Sequence, residues 1–79
     1  MNALTVSDVR EKANELADET NFKVYDDIVS DLDEFLSGTE DVNIALENAL
    51  ETVNTGRQLR PDSSALHDLQ AKLLVLLKQ

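Results

Sequence analysis

Seventy-nine residues, sixteen of them acidic against seven basic, give a net charge of −9 and no cysteine at all. The length allows one domain with a thin stability margin, since a chain this small buries only about 60% of its unfolded surface. The missing cysteines exclude disulfides and thiol chemistry, and the acidity disfavours direct contact with nucleic acid or anionic lipid.

The charge is uneven. Residues 1–56 hold fourteen acids and three bases, whereas 57–79 hold two acids and four bases. Met1–Asp8 contains neither a basic stretch nor an apolar run, so no secretory leader is expected. The longest apolar run, Leu73–Leu77, is far short of the roughly 20 residues of a membrane span. A cytoplasmic chain that does not enter the membrane is the expectation.

Apolar residues recur at three- and four-residue spacing throughout, strand alternation is absent, and Gly and Pro are scarce. These features predict one all-α domain over 1–79, a small bundle of about four short helices at approximately 6–19, 22–37, 40–54 and 63–78. The first begins at Thr5 or Ser7, either of which can accept bonds from free backbone N–H groups. Its apolar stripe is narrow: Val6, Val9, Ala13, Leu16 and Ala17.

Asn21 is the candidate cap of the second helix, and Gly38 its left-handed stop. At about 100° per residue, Phe22, Val24, Tyr25, Ile28, Val29, Leu32, Phe35 and Leu36 fill one half of the wheel. Lys23, Asp26, Asp27, Ser30, Asp31, Asp33, Glu34 and Ser37 fill the other. So wide an apolar arc predicts a central helix packed against two others.

Thr39 is the expected cap of the third helix, with Glu40 and Asp41 in its first turn at the positive end of the macrodipole. Val42, Ala45, Leu46, Ala49, Leu50 and Val53 form its stripe, Gly56 is its expected end, and Ile44 falls on the opposite face. Residues 56–61 then read as a linker with Leu59 turned inward. Asp62, Ser63 or Ser64 caps the fourth helix, which is expected to pack across the other three. Leu66, Leu69, Leu73, Leu76 and Leu77 face one way, Leu74 borders that face, and Val75 points nearly opposite.

Nothing in this pattern specifies a reaction. The single histidine, His67, lies near the edge of an apolar face with no nucleophile turn to serve. Asp31-Leu32-Asp33 opens like a calcium loop, but Phe35, Leu36 and Val42 occupy the positions where further ligands and the obligatory glycine belong. Phosphate-cradling glycine loops are lacking. No catalytic residue, cofactor or metal ligand is therefore assigned.

Two surfaces remain as candidates for binding another protein. One is the acidic side of the second helix, Asp26, Asp27, Asp31, Asp33 and Glu34. Such a field suits a basic partner, and its sharper form is a nucleic-acid mimic blocking a basic DNA- or RNA-binding protein. Its plain alternative is a solvated helix face. The other surface is the leucine-rich end. There Leu74 and Val75 belong to a central buried element, stand as isolated exposed residues, or join Ile44 in an interface with a partner or a second copy.

Asp62-Ser63-Ser64-Ala65-Leu66-His67-Asp68-Leu69-Gln70-Ala71-Lys72-Leu73 resembles the turn-plus-helix of type III secretion needle and inner-rod subunits, in which a Pro/Asp turn precedes a Leu-x-x-Leu-Gln-x-x-Leu run. The resemblance covers a dozen residues, and Ser63 stands where those subunits usually carry proline. It implies a small helical subunit or chaperone of a bacterial secretion apparatus. The residues themselves imply a non-enzymatic interaction module: an adaptor, small chaperone or inhibitor.

Overall fold

The computed structural model describes residues 3–79; Met1 and Asn2, part of the stretch read above for a leader, lie outside them. Four helices follow in order: α1 (Val6–Thr20), α2 (Lys23–Leu36), α3 (Val42–Leu59) and α4 (Ser64–Lys78). No strand is present among the described residues, and the all-α reading holds.

The helix ends show how the chain reads its own punctuation. Thr5 caps α1 reciprocally: its hydroxyl accepts from the Asp8 N–H, and the Asp8 carboxylate accepts from the Thr5 N–H. Asn21 does not start α2. It takes the left-handed conformation (φ 56°), and its N–H donates to the Ala17 carbonyl, closing α1. Asparagine tolerates that conformation better than other residues with a Cβ, so it serves as a stop rather than a start. Gly38 (φ 84°) ends α2 as expected. The N–H groups of Thr39 and Glu40 then fold back onto the Glu34 carbonyl. That turn consumes Thr39, so the cap of α3 passes to Asp41, which accepts from the Asn43 N–H at 3.1 Å.

The expected linker over 56–61 is mostly helix. α3 runs through Gly56 to Leu59, and the turn to α4 is confined to residues 60–63. The terminator is Pro61, which disfavours helical geometry in the residue before it; Arg60 accordingly leaves the helix at φ −135°, ψ 74°. Gly56 has a different purpose. It is buried, and a Cβ placed on it would lie 2.7 Å from Val24 Cγ1 and 3.4 Å from both Leu66 methyls. The glycine lets α3 approach side chains of α2 and α4 where any larger residue would collide. Leu59 is exposed, not tucked inward.

Connections of two, five and four residues reverse the chain three times. The helices form a closed ring in which α1 meets α2, α2 meets α3, α3 meets α4, and a narrower seam joins α4 to α1. In a ring every helix has two neighbours, so α2 is not uniquely central and α4 does not lie across the other three. One core fills the ring: Val9, Ala13, Leu16 and Ala17 from α1, Val24, Tyr25, Ile28 and Leu32 from α2, Leu46, Ala49 and Val53 from α3, and Leu66, Leu69, Leu73 and Leu76 from α4. The two alanines of α1 are short enough for α2 to sit close, so a stripe of modest residues still makes a full wall.

This topology gives the bundle two distinct ends. One gathers the C-terminus of α1, the start of α2, the end of α3 and the start of α4. The other gathers the start of α1, the end of α2, the start of α3 and the end of α4.

Candidate interaction surface

The acids of α2 are not displayed as one free face. Asp33 leans to α1, where Arg10 Nε donates to it at 3.0 Å. Asp31 leans to α3 and accepts the Thr52 hydroxyl at 2.7 Å. Asp27 pairs with Lys23 one turn back. Only Asp26 and Glu34 stand exposed with no bond to another side chain among the described residues. The period of the helix explains the division, since residues two apart point about 200° from each other. Partial burial raises the Asp31 carboxyl above its ordinary value. The Thr52 bond opposes this, and the nearby charges of Asp27, Glu34 and Glu51 reinforce it. The face is thus a set of separate flanks, two of them stitched to neighbouring helices.

On the opposite side of α3 a polar seam holds α4. The Arg57 guanidinium reaches the Gln70 carbonyl oxygen and lies 3.3 Å from His67 Nε2, while the Gln70 amide donates to Asn54 at 3.0 Å. His67 is an exposed member of this seam.

Five large apolar side chains are substantially exposed: Leu36, Ile44, Leu59, Leu74 and Val75. Four of the five belong to a single end of the bundle. Leu36 is the last residue of α2, Ile44 lies in the first turn of α3, and Leu74 and Val75 lie in the closing turns of α4. Leu36, read above as core, is 45% exposed because its helix ends there. Ile44, Leu74 and Val75 are exposed to nearly the same extent, between 42% and 48%. The three named from sequence share an end but not one helix-wheel direction.

At that end the ring is open. A notch of about 340 Å³ is lined by Leu4, Val6, Val42, Leu46 and Leu76, together with Thr5, Asn43 and Gln79. Leu46 and Leu76 are buried core residues that form its floor; Leu4, Val6 and Val42 are half-buried residues that pack against the core. Two carboxylates are bonded to the backbone of its lining residues. Asp8 is bonded to the N–H of Thr5, and Asp41 to the N–H of Asn43, both lining residues. Neither acid has an ion-pair partner among the described residues. Sequence reasoning missed this site. Its one legible signal was Thr5-x-x-Asp8 with Leu4 just before it, the pattern of a capping box preceded by an apolar residue at the position of a hydrophobic staple.

The other end carries a wider depression of about 610 Å³, lined by Leu16, Thr20, Tyr25 and residues 59–65. Its groups are engaged with one another. Phe22 meets Tyr25 edge to face at 5.6 Å, Arg60 stacks on the Phe22 ring at 3.8 Å, and the Tyr25 hydroxyl approaches Ser63 Oγ at 3.5 Å.

No family model, curated protein or solved structure matches this chain. The likeness of Asp62–Leu73 to secretion-apparatus subunits therefore rests on those dozen residues, whose form here is the Pro61–Ser63 turn leading into α4. No group of three or more His, Asp or Glu side chains is placed to hold a metal ion among the described residues. No helix among them is long and apolar enough to cross a membrane.

Proposed function

We propose that this chain is a non-enzymatic protein-interaction module that engages its partner through the apolar end of the bundle. The observation that carries the reading is that Leu36, Ile44, Leu74 and Val75 are all exposed at one end of the bundle, the end that also carries a notch floored by core residues. Single exposed apolar residues are ordinary on soluble proteins; several gathered at one place and rimmed by polar groups mark interaction surfaces. A chain with so small a core also gains stability from a partner that binds its folded form.

A nucleic-acid mimic has less support. Mimicry calls for a continuous run of free charges, and Asp27, Asp31 and Asp33 are each bonded within the chain, on different flanks of α2. A homodimer through the apolar end would bring together two copies of a protein of net charge −9, so a second molecule of different charge fits better.

The test is co-purification from the native cell at 0.5 M salt with tagged wild type, Val75→Asp and Leu59→Asp. Both substitutions alter exposed residues, at opposite ends. A discrete partner retained by wild type and Leu59→Asp but lost by Val75→Asp supports the reading. Loss with Leu59→Asp alone, or release of the wild-type complex by salt, overturns it.

A further inference from the structure

Arg57 is bonded differently from the other cations that reach a partner side chain. Arg10, Lys23 and Lys72 each meet a carboxylate. Arg57 meets none among the described residues. Its guanidinium faces only neutral groups of α4, the Gln70 carbonyl oxygen and His67 Nε2, and its own Nε is buried without a partner. A half-buried cation held in this way has hydrogen bonds in place of a counter-ion, so each of the two counts.

The contact sets the protonation state of His67. Arginine can only donate, so Nε2 at 3.3 Å accepts with its lone pair and the proton of the neutral ring sits on Nδ1. The same polarity continues along the seam. Gln70 accepts from Arg57 through its carbonyl oxygen and turns its amide to Asn54, at 3.0 Å. An imidazolium, by contrast, donates from both nitrogens and offers Arg57 no lone pair. It also sets cation against cation in the first turn of α4, where the positive end of the helix opposes it again.

The surroundings of His67 do not replace the lost bond. Arg57 is the charged group that α3 bonds to it, and α1, on the other flank of α4, gives it no bonded partner among the described residues. On α4 itself the adjacent carboxylate, Asp68, is bonded to Lys72 at 2.8 Å. His67 is exposed, so a proton reaches it without any opening of the fold.

We propose that the Arg57–His67 contact is a proton-controlled latch on the α3/α4 seam. It is closed while His67 is neutral and opens on protonation, leaving Arg57 to Gln70 alone. Histidine is the side chain whose ordinary titration falls between about pH 5 and 8, so the latch changes state within the range that living compartments span. The buried leucines of α4 keep their places, and the change is confined to the outer edge of the seam, next to the turn of residues 60–63.

The test is an NMR titration of the whole chain from about pH 8 to about pH 5. It follows the ring nitrogens of His67, the guanidinium of Arg57 and the side-chain amides of Gln70 and Asn54, in wild type and in His67→Gln. His67 is exposed and outside the core, so this substitution keeps the fold, and its amide oxygen is a neutral acceptor at every pH. At the alkaline end the expected ring form carries its proton on Nδ1, the tautomer that free histidine disfavours. On acidification the Arg57 and Gln70 side-chain signals should move together with those of the His67 ring, and in His67→Gln they should stay in place. Three results overturn the proposal: a ring protonated on Nε2 at the alkaline end, Arg57 and Gln70 signals that ignore the titration of His67, or equal movement of those signals in His67→Gln.

Discussion

The two ends of the bundle are built from the same elements and reach opposite states. At the end where α1 finishes and α4 begins, the polar and aromatic groups satisfy each other: Arg60 lies on Phe22, Phe22 on Tyr25, and Tyr25 beside Ser63. At the other end apolar side chains stand exposed, and two carboxylates have only backbone partners. At the first, Gly56 brings α3 close to Val24 of α2 and Leu66 of α4; at the second, a notch lies between α1, α3 and α4. What suits a hollow to docking is what its surrounding groups lack, more than its size. The larger depression, at the closed end, is the less needy one.

Breaking the core of the ring should have the largest effect. Leu73→Ala, at a fully buried position of α4, should cost about 2–5 kcal/mol in chemical denaturation. That is a large part of the stability available to a chain of this size, and both ends should loosen together.

Gly56→Ala sharpens the contrast. The added methyl favours the helix by about 1 kcal/mol, while overpacking costs about 1–3 kcal/mol. With Val24 Cγ1 only 2.7 Å from the new carbon, the account predicts net destabilisation. The pair Gly56→Ala with Val24→Ala should lose less than the sum of the two single changes. Additive losses would show that the close approach is not what Gly56 provides.

Legibility follows the same division between local and assembled features. The four helices, the Gly38 stop and most core positions were visible because each depends on residues within one or two turns. The expected end at Gly56 was misplaced because a buried glycine facing Val24 and Leu66 looks, in sequence, like a helix stop. Pro61 was the real signal. Thr39 and Asn21 were assigned to the wrong helix for a related reason, since each sits at a junction where two caps compete and the earlier helix prevails. The acidic face was legible as a helix-wheel face. Its division was not, because Arg10 and Thr52 come from other helices. The notch draws on the ends of three helices, so no single segment could reveal it.

A smaller effect concerns Asp31. Its carboxyl is raised mainly by burial, so the folded chain holds that proton more firmly than the unfolded one. Stability from this group is therefore lost as pH rises through the raised value, and it is unaffected below the ordinary carboxylate range, where both states are protonated. Asp31→Asn, which can still accept the Thr52 hydroxyl, should raise Tm modestly at pH 7, with the gain shrinking toward zero in acid. A constant gain across pH would point to a cause other than charge.

The smallest effect on stability, within about 0.5 kcal/mol, belongs to Ile44→Ser and Val75→Ser, since both residues are about half exposed. Their expected effect is on binding instead, and this separates the open end from the core beneath it.

The most direct test of that claim places a photo-crosslinking side chain at Ile44, at Val75 and, as the opposite-end comparison, at Leu59. On irradiation in the native cell, the account predicts one discrete adduct shared by positions 44 and 75 and absent at 59. An adduct formed from Leu59 but from neither of the others would contradict it.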